Sequence, residues 1–209
     1  MAGKPILTVV SGFAGSGKGS AMKGLLEKYP GQYALSVSAT TRSPRPGEIV
    51  GREYFFITDE EFEEKIHTDA LIEYAGYVGH YYGTPRRYVE ENLAAGRDVL
   101  LEIEIQGALQ IRKKYPDVLL LFFTPPNADE LKKRLIGRGT EDEETIKKRL
   151  QRASEEAVGM EQYDYLVIND DLDTCIEEIH RIIQSEKHRV SRCSDKVRQI
   201  REGVRAFSR

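Results

Sequence analysis

The segment that most constrains this chain is Gly12-Phe13-Ala14-Gly15-Ser16-Gly17-Lys18-Gly19-Ser20. It follows the apolar run Ile6-Leu7-Thr8-Val9-Val10 and precedes a helix-forming stretch from Ala21 to Lys28. A β-branched run, a glycine-dense turn and a helix, in that order, give the strand–loop–helix context of a phosphate-binding loop. The glycines let the backbone turn tightly, so that successive N–H groups point inward at an anion. The helix turns its N-terminus to the same charge, and Lys18 adds a cation for the outer phosphates. A glycine-rich turn with no ligand is the plainer reading, and the lysine in that context argues against it. The expected ligand is a nucleoside triphosphate.

Many such loops place Ser or Thr directly after the lysine, where the hydroxyl reaches magnesium. Here Gly19 takes that position and Ser20 follows. Lysine, then Gly, then Ser or Thr resembles the nucleoside monophosphate kinases more than the GTPases or motor ATPases. That resemblance implies magnesium held mainly by phosphates and water, with any carboxylate ligand coming from elsewhere in the chain.

The remaining elements alternate. Asp98 to Ile103, Val118 to Thr124 and Tyr165 to Ile168 read as strands. Gln106 to Lys114, Ala128 to Ile136 and Glu143 to Val158 carry helical patterns. This alternation predicts an α/β fold, a parallel sheet flanked by helices, with ligands at the carboxyl ends of the strands. Between the first helix and that series, Tyr33 to Ser38, Tyr54 to Ile57 and Leu71 to Val78 read as strands. Thr58 or Asp59 caps a short helix to His67, and Gly79 to Pro85 reads as a turn opening a helix to about Ala95. Residues from about 36 to 88 therefore look like a small, mostly β insertion. The 209 residues suit one compact domain with small inserts, and 40% hydrophobic with 31% charged residues is a globular balance.

Composition narrows the partners. A formal net charge of -3 gives no case for nucleic-acid binding, and no apolar run approaches the ~20 residues needed to cross a bilayer. Cys175 and Cys193 lie far apart and outside metal or redox spacing, so they read as reduced thiols. The N-terminus runs almost directly into the first strand, which leaves no signal peptide in view. A cytoplasmic location is expected.

The second informative block is Ser38-Ala39-Thr40-Thr41-Arg42-Ser43-Pro44-Arg45, with Tyr54 nine residues on. Two arginines bracketing a proline turn present two guanidinium forks to one phosphate, although such pairs are more often simply solvated. At this point the chain resembles the guanylate kinases over about residues 5 to 185. The matching segments are the phosphate loop, Thr-Thr-Arg-Ser-Pro-Arg-Pro-Gly-Glu, Tyr-Tyr-Gly-Thr, Glu-Ile-Glu-Ile-Gln-Gly, Arg-Leu-Ile-Gly-Arg-Gly-Thr and Ile-Asn-Asp-Asp.

The resemblance implies ATP and GMP as substrates, with Mg2+. It implies that Arg42, Arg45, Tyr54 and Tyr82 hold the GMP phosphate and that Ser38, Glu73, Thr84 and Glu104 line a guanine pocket. Chemistry agrees: guanine offers N1–H and a 2-amino group as donors, which a buried carboxylate such as Glu73 accepts, while a hydroxyl donates to O6. Adenine would leave that carboxylate unpaired, a mismatch that discriminates strongly. An exposed strand carboxylate is the plainer reading of Glu73, and insertion packing that of Tyr54 and Tyr82. Glu102 and Glu104 are expected on one side of a strand end, where the family often carries Asp; Glu102 is the candidate for the magnesium shell, directly or through water. Arg134, Arg138 and Arg149 fall in the segment resembling the family's mobile lid, placed to neutralise the transferring phosphoryl group. Asn169 is expected at the ATP adenine. No general base is called for, because a phosphate monoester with a second pKa of about 6 is largely ionised at neutral pH. His67, His80, His180 and His188 have no metal spacing.

These expectations divide the chain into a guanylate-kinase-like domain over 4–187 (core 4–35 and 96–187, GMP-binding insertion about 36–88, lid about 134–152) and a basic amphipathic tail over 188–209. Two other functions compete: a non-catalytic interaction module of the same fold, and a kinase for another small phosphorylated substrate. The intact loop with Lys18 argues against the first, and Ser38, Glu73 and Thr84 against the second. In the tail, Ile176, Ile179, Ile183, Val190, Cys193, Val197, Ile200, Val204 and Phe207 keep a three–four spacing that Glu186 alone interrupts. Either the first part packs on the core and the basic end frays, or one long helix continues past Ser191 and docks its stripe on another subunit or on the chain's own body. Self-association there would make the protein a homo-oligomer.

Overall fold

The computed structural model describes residues 4–77, 79–137 and 143–207. A five-stranded parallel sheet forms its centre. Strand β1 (Leu7–Gly12) lies in the middle, flanked on one side by β7 (Asp98–Glu102) and then β2 (Tyr33–Leu35). On the other side lie β8 (Leu119–Thr124) and β9 (Tyr165–Ile168). A parallel sheet is covered on both faces, which is why its strands read as continuous apolar runs rather than alternating ones.

The pleat divides those runs between two cores. Ile6 and Val10 face a layer made by α1 (Lys18–Lys28) and α7 (Leu172–Glu186), with Met22, Leu25, Ile176, Ile179 and Ile183 buried there. Gly24 lets the two helices close, since a β-carbon on it would overlap Ile176. Leu7 and Val9 face the opposite layer, where α3 (Arg86–Ala94) and α4 (Ile105–Lys114) bring Val89, Ala108 and Ile111. Helices α5 (Ala128–Ile136) and α6 (Glu143–Ala157) pack against the β8 side through Leu131, Leu135 and Ala153 around Phe122. The expected α/β architecture is therefore the one observed.

A second sheet of four strands, ordered β4-β3-β6-β5, is built from β3 (Ala39–Thr40), β4 (Phe55–Phe56), β5 (Leu71–Tyr77) and β6 (His80–Pro85). Its small core is Ala39, Phe62 and Leu71, with Phe62 supplied by α2 (Asp59–His67) and stacked on Tyr81 at 5.3 Å. Of the two expected caps for α2, Thr58 serves: it accepts from Glu61 N while Glu61 accepts from Thr58 N, a reciprocal capping box.

Three sequence expectations are corrected. Gly79 to Pro85 is mostly strand, not turn, because Tyr81, Tyr82 and Thr84 pair antiparallel with Gly76, Ala75 and Glu73. Only Gly79, at φ 77, belongs to the connection. Glu104 does not share a strand side with Glu102, since β7 ends at Glu102 and Glu104 is already the N-cap residue of α4.

The long C-terminal helix is two helices. Helix α7 stops at Glu186, a short 3₁₀ turn spans Val190–Cys193, and α8 covers Ser194–Ala206. The residue that interrupts the stripe causes the break: Glu186 is buried, accepts from Tyr165 Oη at 2.7 Å, and draws Arg189 and Arg192 to within 3.3 and 3.5 Å. Lys187 turns inward to Asp98 at 2.6 Å. The stripe up to Ile183 packs on the core, whereas Val190, Ile200, Val204 and Phe207 are exposed.

Candidate active site

The Gly12–Ser20 loop lies at the carboxyl end of β1, where the chain changes direction across the sheet between β7 and β8. Open α/β sheets place ligands at such a point. Gly12 ends β1 at φ 148, and a β-carbon there would overlap the Phe123 carbonyl, so only glycine lets the loop leave the sheet. Gly17, at φ 93, is the N-cap of α1 and makes no side-chain cap, leaving the helix's first N–H groups to an incoming anion. Lys18 Nζ donates to the carbonyls of Gly12 at 2.8 Å and Phe13 at 3.0 Å, which holds the ammonium over the loop. Ser16 Oγ is buried with no hydrogen-bond partner among the described residues, as expected of a hydroxyl that serves a ligand. Leu135 of α5 packs beside Gly15, so Arg134 lies on the helix that borders the loop.

Glu102 stands beside this helix start. Its carboxylate oxygens lie 3.8 and 4.0 Å from where a β-carbon of Gly19 would be. Surrounding protein pushes its proton affinity up although water reaches the side chain; Lys18 opposes that shift and Glu104 adds to it. Among the described residues no three His, Cys, Asp or Glu side chains form a metal cage, so an ion here would take most of its ligands from phosphate and water.

Across the cleft, Glu73 is buried between β5 and α4 and accepts a hydrogen bond from Thr84 Oγ1 at 2.6 Å. Burial drives its carboxyl up to about 7, against the opposing pull of Thr84 and Lys114. A β-carbon on Gly107 would sit 2.5 Å from Glu73 Oε2, so the glycine in α4 makes room for the acid.

The arginine loop is organised by a residue to which the sequence reading gave no role. Glu48 takes both terminal nitrogens of Arg42 at 2.9 Å and the Arg45 amide at 2.7 Å, and these bonds hold its own carboxyl below the usual range. Its signal was present, an acid six residues after one arginine and three after another. The Arg42 guanidinium lies 5.5 Å from the Tyr54 ring centre and 5.6 Å from that of Phe56, and Tyr54 packs edge-on to Tyr82 at 5.7 Å. Ser38 bonds Phe55 through its carbonyl, and Arg45 extends an exposed side chain.

On the lid side, Arg134 donates to Glu130 at 2.8 Å and Arg149 is half-buried on α6. Arg138 lies outside the described residues. Arg152, also unforeseen, reaches from α6 to Glu104 at 3.2 Å and Glu156 at 2.8 Å. Asn169 follows β9 and is buried against the phosphate loop.

A glycine loop opening a helix, a buried carboxylate and a paired-arginine loop are parts that a kinase of a small phosphorylated substrate needs. The guanylate kinase family model matches residues 4–186. The chain belongs to the guanylate kinase family. Members of this family transfer the terminal phosphate of ATP to GMP, and this chain is such an enzyme. It is 48% identical over 200 residues to a guanylate kinase of Latilactobacillus sakei, covering 96% of this chain and 98% of that one. A guanylate kinase of Streptococcus pyogenes is 50% identical over 192 residues, covering 92% and 91%. Among solved structures, the guanylate kinase of Anaplasma phagocytophilum superposes with a TM-score of 0.75 at 31% identity, covering 91% of this chain and 90% of that one.

Proposed function

We propose that each half of the cleft takes one substrate of this reaction. ATP places its phosphates in the Gly12, Phe13, Ala14, Gly15, Ser16, Gly17, Lys18, Gly19 and Ser20 loop, and Asn169 offers its Oδ1 to the adenine. GMP lies against the four-stranded sheet, its phosphate met by Arg42, Arg45, Tyr54 and Tyr82 and its base by Ser38, Glu73, Thr84 and Glu104. Arg134, Arg138 and Arg149 carry the charge that develops on the moving phosphoryl group, together with Lys18. The phosphate oxygen of GMP attacks already ionised, so positioning and electrostatics suffice. On this reading the insertion and the lid divide the chain as the domain boundaries above state, and closing them excludes water that would hydrolyse ATP.

Magnesium suits the donor set. Glu102 is raised by the surrounding protein although water reaches it, and it sits beside the α1 N-terminus, where a divalent cation would favour its charged form. It would hold the ion directly or through water, and the bound ion supplies neutralising charge at the phosphates. The setting is the cytoplasm, with no nucleic-acid or membrane partner, and a second copy of the chain is the proposed partner for α8.

The observation that carries the guanine reading is the buried Glu73 with its Thr84 bond. Coupled ADP release measured with GMP, AMP, CMP and UMP side by side tests it. Fast turnover is expected with GMP alone, and comparable turnover with AMP would refute the pocket.

A further inference from the structure

Asn169 holds the phosphate loop from outside it. Its backbone N–H donates to the Thr124 carbonyl at 2.8 Å, which fixes the residue to the neighbouring strand. Its side-chain Nδ2 donates to the Ser16 carbonyl, also at 2.8 Å, and the residue is only 6% exposed. The bond joins parts of the chain 153 residues apart. A β-carbon on Gly17 would overlap that same Nδ2, so the asparagine fills the space which a side chain at position 17 would need.

The consequence follows from peptide geometry. In a planar trans peptide the C=O and the next N–H point in opposite directions. Holding the Ser16 oxygen toward Asn169 therefore turns the N–H of Gly17, the N-cap residue of α1, away from Asn169. We infer that Asn169 is a positioning residue which, through the Ser16 carbonyl, aims the Gly17 amide at the phosphates of the bound triphosphate. This rests on the reading of Gly12–Ser20 as the phosphate loop and adds to any contact that Oδ1 makes with the base. Removing the strut frees the Ser16–Gly17 peptide to rotate, and the amide is no longer pre-aimed.

Inorganic tripolyphosphate separates the two roles, because it has phosphates and no base. Binding of ATP and of tripolyphosphate to the full chain is measured by calorimetry with Mg2+ and without GMP, so that no phosphoryl transfer adds heat, and GMP binding is measured separately. Asn169→Ala should weaken tripolyphosphate about tenfold, for one lost hydrogen bond, and ATP by at least that factor, while GMP affinity is unchanged. Weaker ATP with unaltered tripolyphosphate would overturn the inference in favour of a base contact alone, and so would no change in either. Failure of the unmodified protein to bind tripolyphosphate would instead reject the phosphate-loop reading beneath it. Should Asn169→Ala not fold, the unmodified protein still decides by NMR. Tripolyphosphate should shift the Gly17 amide proton downfield, and an unmoved Gly17 amide in a protein that binds the ligand overturns the proposal.

Discussion

In the proposed guanine pocket, Glu73 serves two opposed demands. Burial raises its carboxyl from the ordinary 4.5 to about 7, so the folded protein prefers it neutral, whereas guanine's donors prefer it ionised. Between those two values the folded state holds more protons than the unfolded one, and stability falls as pH rises from about 4.5 to about 7. A shift of that size corresponds to roughly 3 kcal/mol. Glu73→Gln, which can still accept from Thr84, should therefore melt higher than the parent at pH 8 and much like it at pH 4.5. The same change should weaken GMP far more than ATP and abolish the rise in GMP affinity between pH 6.5 and 8; equal weakening of both nucleotides would contradict the pocket. Lys18 is a simpler case, because it meets loop carbonyls and no apolar core. Lys18→Ala should lower kcat by about 10²–10³ or more with an unchanged melting curve, and an active, normally folded variant would remove the loop from the mechanism.

At the level of elements, the two halves of the cleft are joined where α4 crosses β5. Gly107 and Glu73 are 34 positions apart in sequence and touch only because the helix begins directly under the strand. Gly107→Ala must displace either the carboxylate or the helix. The expected result is a KM for GMP raised about ten- to a hundredfold with KM for ATP unchanged, read from initial rates. A parallel rise in both constants would mean that the helix, not the acid, had moved. This dependence was partly visible in sequence as the Glu-Ile-Gln-Gly motif, but nothing in the motif says which acid the glycine spares. The Arg42–Glu48 pair was nearer the surface of the text, since both members belong to one short loop. Arg152 was hidden: an arginine on a charged helix looks solvated until Glu104 and Glu156 are found on the same side.

Over the whole molecule, the tail departs most from its expected course. Helix α8 exposes Ile200 and Val204, and its C-cap Phe207 is exposed too, beside Arg198, Arg201 and Arg205, while Lys4 donates to Asp195 at 2.7 Å. Removal of residues 194–209 keeps Arg192 and its ion pair with Glu186, and takes away the exposed stripe together with the solvent-exposed Lys4–Asp195 pair. If a second copy covers that stripe, the full chain should sediment as an oligomer and the shortened one as a monomer that melts lower. Identical mass and stability would show that the stripe covers nothing. The sequence by itself determined the α/β class, the phosphate loop and most helices and strands of the core, because glycine geometry and apolar periodicity act within a few neighbouring residues. It also supplied the residues proposed for the GMP side, through motifs that keep their order. Only the tertiary structure decided that Glu73 is buried and meets Thr84 and Gly107, that Asn169 braces Ser16, and that the tail bends at Glu186. Each of these depends on desolvation or on a hydrogen bond between distant parts of the chain. A local pattern shows which residues can enter a core, and the packed fold settles which polar group enters with them and what it bonds.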